Sequence, residues 1–178
     1  MKAINKILIL LTLTTLFSCQ KDNLENYWVQ ASESPDFLSV NLPANIVKFD
    51  VEKLDPQTRK DIKSIKKLNI LLYKNDYPLE KKEKEFDKLQ DILYGEPYKE
   101  LLKIRNKGYK IDLIYEGDPE KIDQFIFLGK DKENNFMLGL LKAKGVNANS
   151  IYKALRHIKS VDNSEAEKAI EIFKIGKN

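Results

Sequence analysis

One His and one Cys in 178 residues set the first limits on what chemistry this chain can do. His157 is the only imidazole, and a Ser-His-Asp or Cys-His site needs its base held by a third group beside an activated nucleophile. Arg156 and Lys159 flank His157 instead, a cationic setting that predicts a solvated ring. One Cys with one His falls short of the four ligands of a structural zinc site, and a lone Cys excludes an internal disulfide. Carboxylates remain. Glu116, Asp118 and Glu120 cluster in one turn, and two such groups suffice for glycoside hydrolysis, yet short exposed turns favour acids for solvation alone. Asp131-Lys132-Glu133-Asn134-Asn135 has the outline of a calcium loop, but Phe136 replaces the required Gly and no bidentate Glu follows at the twelfth position. No Gly precedes Gly95 and the later ones are isolated, so phosphate-cradling motifs fail and no cofactor is expected. Glu80–Lys84 and Lys81–Glu85 stand at helical spacing in a charge-dense stretch, which reads as a solvated helix face. No catalytic residue and no metal site is assigned.

Cys19 is different, because its position carries the information. Lys2 and Lys6 precede an eleven-residue apolar stretch, Ile7 to Phe17. At about 1.5 Å per residue that stretch is too short for a hydrocarbon core of about 30 Å. It has the length of a signal-peptide apolar region. Leu16-Phe17-Ser18-Cys19 then resembles the lipobox of bacterial lipoproteins, with Phe17 bulkier than the usual occupant. That resemblance implies a thioether-linked diacylglycerol on Cys19, cleavage before it and acylation of the new amino terminus. An ordinary cleaved leader with a chance Cys, or an uncleaved anchor, is the alternative. Several acyl chains on one residue give near-permanent membrane attachment, at about 0.8 kcal/mol per buried methylene. Losing Lys2 and Lys6 with residues 1–18 lowers the net charge from +4 to +2, so no field able to attract nucleic acid remains. Gln20-Lys21-Asp22-Asn23-Leu24-Glu25 partly resembles a tag that sends some Bacteroidetes lipoproteins to the cell surface. Asn23 and Leu24 depart from its acidic run. The outer membrane is the expected location, surface-exposed or periplasm-facing.

Residues 19–35 show no sustained period and read as a polar tether, with Tyr27, Trp28 and Val29 able to dock. Residues 36–178 read as one domain. Phe37 to Leu42 is a first strand. Asp55-Pro56 opens a helix, Asp as N-cap and Pro as first helical residue, followed by Ile62, Ile65 and Leu68 at helical spacing. Asn69 to Lys74 is a short buried strand. Leu79 to Leu93 is a helix with Phe86, Leu89, Ile92 and Leu93 on one stripe. Pro97 is expected to begin a further helix carrying Tyr98, Leu101 and Leu102. Tyr109 to Glu116 alternates as a half-buried strand, with Ile114 the exception. Strands at Ile122–Leu128 and Phe136–Lys142 complete a three-stranded antiparallel meander. Asn147 or Asn149 caps a helix bearing Ile151, Ala154, Leu155 and Ile158, and Ser164 to Phe173 is a last amphipathic helix. The expected class is α+β, a mostly antiparallel sheet with helices packed on one face.

The Tyr98-Lys99-Glu100-Leu101-Leu102 stretch, the meander and the closing FMLGLLKAKGVNANSIYKAL together resemble the Bacteroidetes lipoproteins of the domain of unknown function 4252 family, over about residues 36–160. The resemblance implies a small lipoprotein domain with no assigned catalytic residues. Some members lie near genes for alternative sigma factors, which hints at envelope stress. The expected role is a membrane-tethered, non-catalytic interaction module for an envelope protein or peptide, with no nucleic-acid partner. The alternatives are a carboxylate-based hydrolase and a regulatory lipoprotein in stress signalling.

Overall fold

Apolar runs from Phe37 onward pair into one six-stranded antiparallel sheet in the computed structural model, which describes residues 23–74, 76–106 and 108–161. The elements in chain order are α1 (Leu24–Glu33), β1 (Phe37–Pro43), β2 (Val47–Phe49), α2 (Pro56–Ser64), β3 (Lys67–Tyr73), α3 (Leu79–Leu93), β4 (Tyr98–Asn106), β5 (Tyr109–Glu116), β6 (Ile122–Lys130), β7 (Phe136–Val146), α4 (Ala148–Leu155) and β8 (Ile158–Val161). The sheet runs β1-β3-β7-β6-β5-β4, and β2 pairs with β8 in a separate two-stranded ribbon. The class is α+β, as expected. Strands β4 to β7 form a four-stranded meander, and α3 carries the chain from β3 to the far edge at β4.

Period-two alternation sends neighbouring side chains to opposite faces of the sheet. Leu71, Tyr73, Ile114, Ile126, Leu128 and Leu138 point to the first face, where they meet Phe86, Leu89 and Leu93 of α3. Leu113, Tyr115, Phe125 and Leu141 point to the second face, where Ile151 and Leu155 of α4 cover part of it. The long α3 and α1 thus form the expected helical layer on one face. The shorter α2 and α4 pack on each other, α2 also on β7 and α4 on β4, which adds a partial layer on the other. Two covered faces also explain Ile114, since a strand buried on both sides has no reason to alternate.

Several expectations need correction. The stretch read as a tether contains α1, capped by the Asn23 side chain, whose Oδ1 accepts from the Asn26 N–H at 2.8 Å. Leu24, Tyr27 and Ala31 of α1 are buried in the first core, and Trp28 packs against it, while Val29 is exposed. The folded domain therefore includes Leu24–Glu33. The segment after Pro97 is a strand. A β-bulge between Glu100 and Leu102 in the β4–β5 register places one residue out of alternation, so Tyr98, Leu101 and Leu102 imitate an i, i+3, i+4 helical set. Leu68 belongs to β3 and Ile158 to β8 rather than to the helices before them. Asp55 and Pro56 hold as read: the Asp55 carboxylate accepts from the Thr58 N–H at 3.0 Å and Pro56 opens α2. Asn147, not Asn149, caps α4. The helix expected over 164–173 lies outside the described residues, as does Cys19.

Candidate functional site

The carboxylates singled out from the sequence do not converge. Asp118 Oδ1 accepts from the Glu120 N–H at 2.9 Å, which closes the turn after Gly117. Glu120 accepts a hydrogen bond from the Asn147 side-chain amide, tying that turn to the cap of α4. Glu116 is exposed at the end of β5. Each group is spent on the turn itself or on solvent. The Asp131 loop is closed in the same way. Asp131 Oδ1 accepts from the N–H groups of Glu133 and Asn135 at 2.8 and 2.9 Å, and its Oδ2 accepts from the Asn135 amide at 2.9 Å. Lys82 then donates to Asn135 Oδ1 at 2.8 Å. Among the described residues no group of three or more His, Cys, Asp or Glu side chains is placed to hold a metal.

His157 sits in the turn between α4 and β8, half-buried, and its carbonyl oxygen accepts from the Asp50 N–H at 2.8 Å. That bond fastens β8 beside the residue that follows β2. The charge-dense face of α3 bounds a shallow surface of about 480 Å³ lined by Glu80, Glu83, Lys84, Asp87, Lys88 and Asp91. All six residues come from one helix, with no facing element to focus their charge on a substrate.

Two polar clusters join elements together. Tyr94, just after α3, donates to the Asp112 carboxylate of β5, and Arg105 Nη1 of β4 lies 2.5 Å from Asp112 Oδ1. Asp112 is only 4% exposed, so this carboxylate is buried with a guanidinium and a phenol on it. Burial first, then the bond to Asp112, push the Tyr94 phenol up to about 12. At the other end of the sheet, Asp36 accepts from the Tyr77 hydroxyl and from Lys81, the latter at 3.0 Å. The Tyr77 bond and then that of Lys81 hold the Asp36 carboxyl below its ordinary range. Both clusters balance their charge internally and link a helix to the sheet.

Among the described residues, one concave surface with room for a ligand is apolar, and it lies on the second face. It is a cleft of about 390 Å³ whose floor is Ile70 of β3, Met137, Gly139 and Leu141 of β7, Phe127 of β6, Ile111 of β5 and Ile104 of β4. Ile62 and Ile65 at the end of α2 and Ile151, Ala154 and Leu155 of α4 form one wall. Val47, Phe49 and Ile158 of the β2–β8 ribbon form another. No charged or hydrogen-bonding side chain is among the lining residues that are described.

The depression has a local cause at Gly139, which sits between Ile70 and Phe127 in the two flanking registers. A Cβ there would stand 3.3 Å from Phe127 Cβ and 3.6 Å from Leu68 Cδ1, so glycine keeps the floor low. Polar bonds behind the wall hold it in place. Lys153 of α4 donates to Asp55 at 3.0 Å, and the buried Asp61 of α2 accepts from Gln57 at 2.7 Å and from the Asn147 N–H at 3.3 Å. The Thr58 N–H, then Lys153, keep the Asp55 carboxyl well below the usual range.

Residues 30–154 match the family model described as a domain of unknown function (DUF4252). The chain belongs to this family. The family segment runs from within α1 to within α4 and so includes the whole six-stranded sheet with α2 and α3. No curated protein and no solved structure matches the chain at a significant level.

Sequence reasoning missed the cleft. Its residues come from nine separate helices and strands, each contributing one to three residues that look like ordinary core in isolation. The available signal was Ile114, which already required a second covered face.

Proposed function

We propose that this DUF4252 domain is a non-catalytic binding module, anchored by acyl chains on Cys19 to a bacterial outer membrane, whose working surface is the apolar cleft. The supporting observation is the lining. A hydrolase needs an acid and a base at the substrate, and the cleft offers neither. Asp118, Glu120, Asp131, Asp55, Asp36 and Asp112 outside it are committed to turns, caps or ion pairs. Apolar contact is what the surface can supply.

The occupant is read from the rim. Ile104 and Ile158 line the cleft yet are 43% and 42% exposed, so the wall opens broadly to solvent. An enclosed lipid pocket would cover its lining. A broad trough between a helix, a ribbon and a sheet suits the apolar face of an amphipathic helix, supplied by another envelope protein or peptide. The outer edge of the sheet is a poorer docking site. Edge strand β4 carries Lys99, Glu100, Lys103 and Arg105 and a bulge, devices that discourage added strands.

Two measurements test this reading. Mass spectrometry of the native product should find Cys19 as the acylated amino terminus; an unmodified, freely soluble polypeptide would remove the anchor. Titration with the apolar fluorophore bis-anilinonaphthalene sulfonate should show one saturable site. Ile104→Lys with Ile158→Lys should weaken it about tenfold, as expected from loss of apolar contact, while Glu83→Lys on α3 leaves it unchanged. Equal uptake by all three proteins, with circular dichroism unaltered, would contradict the assignment.

A further inference from the structure

The β2–β8 ribbon ends with Val47 paired to Val161, and Val47, Phe49 and Ile158 all line the cleft. The described chain therefore stops at the cleft's own rim, with residues 162–178 still to follow. Their sequence suits that position. Ala166, Ala169, Ile170 and Phe173 stand at i, i+3, i+4 and i+7, one apolar stripe at helical spacing. Ser164 and Glu167 have the spacing of a capping box. A helix over 164–173 would be about 15 Å long. Asp162 and Asn163, spanning at most about 7 Å when extended, suffice to turn it back over the ribbon. The charges are opposite in sign. Asp162, Glu165, Glu167 and Glu171 outnumber Lys168 in the first ten residues, and the elements around the cleft expose Lys48, Arg156 and Lys159.

We infer that the C-terminal segment from Ser164 to Phe173 is the resident occupant of the apolar cleft, seating Ala166, Ala169, Ile170 and Phe173 against it. The inference rests on the cleft being the binding surface and adds its regulation: an envelope partner binds by displacing the chain's own tail. When the tail holds the cleft in about nine of ten molecules, the partner's apparent affinity falls about tenfold. Membrane attachment at Cys19 and the internal competitor at the opposite terminus are then independent controls on one surface.

The test uses the full-length protein in its membrane. A photoreactive benzoylphenylalanine placed at Ile104 should cross-link within the same chain to the peptide containing Ile170 and Phe173. Ile170→Asp with Phe173→Asp should lower that cross-link about tenfold. The reciprocal probe at Phe173 should reach peptides containing Phe127, Met137 or Ile158. Cross-links from Ile104 to another protein with none to the tail would overturn the inference and leave the cleft as a binding surface. Cross-links from Phe173 to the cleft of a second copy would also overturn it, in favour of exchange between chains. Absence of any cross-link from Ile104, with the Phe173 probe equally silent, would remove both the tail inference and the cleft reading.

Discussion

Replacing Leu24 by alanine measures whether α1 is part of the folded domain. Leu24 is the first residue of that helix and is 3% exposed, in the same core as Leu89, Leu93 and Ile114. The substitution removes three carbon groups from a buried site, about 2.4 kcal/mol at about 0.8 kcal/mol each. A cavity adds to that, although the end of a ten-residue helix relaxes more readily than a central strand, so a total of about 2.5 kcal/mol is expected. With a urea slope of about 2 kcal/mol per molar, the midpoint should fall by about 1 M at constant slope. Equilibrium urea denaturation of the mature chain followed by circular dichroism reads this directly. Val29→Ala, exposed on the same helix, is the control and should stay within about 0.5 kcal/mol. Equal midpoints for Leu24→Ala and the unaltered chain would show that the first face closes without α1, and the packing argument would fail.

Other consequences are open to measurement. The folded-state acidity of Asp55 lies below its unfolded value, set by the Thr58 N–H and then Lys153. Its contribution is therefore complete above about pH 3.9 and is lost as pH falls from there through the folded value. Melting temperatures from pH 6 to pH 2 should show that loss, and Asp55→Asn, which keeps a competent cap, should flatten it; an unchanged slope would refute the linkage. Arg105→Ala strands the buried Asp112 carboxylate and should cost about 2 kcal/mol. Lys103→Ala, which removes an exposed pair with Glu100, should cost less than about 0.5 kcal/mol; equal costs in denaturation would mean that Asp112 does not depend on its guanidinium. The buried Tyr73 hydroxyl has no hydrogen-bond partner among the described residues, although its ring stacks on Phe136 at 4.7 Å. Tyr73→Phe should therefore be neutral or stabilising by up to about 1 kcal/mol, and a clear destabilisation would reveal a partner for that oxygen.

How far the amino-acid order could be read depends on how local each signal is. Asp55-Pro56 and the Phe86, Leu89, Ile92, Leu93 stripe are each local to one helix, so α2 and α3 were legible, α3 from Leu79 to Leu93 as read. The strands at 37–42, 69–74 and 122–128 also held, with ends shifted by one or two residues because the pairing partner sets them: β1 and β6 run further, and β3 spans Lys67–Tyr73. Strand β4 was not legible, because its bulge is defined by register against β5 rather than by its own pattern. Helix α1 was hidden by polar neighbours, although Leu24, Tyr27 and Ala31 already stood at i, i+3 and i+7 on one face. Ile158 continued the α4 stripe in sequence and turned out to belong to the ribbon opposite Phe49. The cleft shares that fate: Ile62, Ile104, Phe127 and Ile158 are brought together only by the packing of a helix and the ribbon on the sheet.

Under the proposed function the second sheet face, rather than any polar cluster, receives the partner. Methyl NMR of the mature chain, titrated with a nitroxide-labelled amphipathic Leu/Lys helical peptide, addresses it most directly. Selective broadening of Ile62, Ile104, Leu141 and Ile158, with Leu89 and Leu128 beneath α3 unaffected, is the predicted pattern. Broadening centred on α3, or none at concentrations where the peptide is helical and soluble, would contradict it.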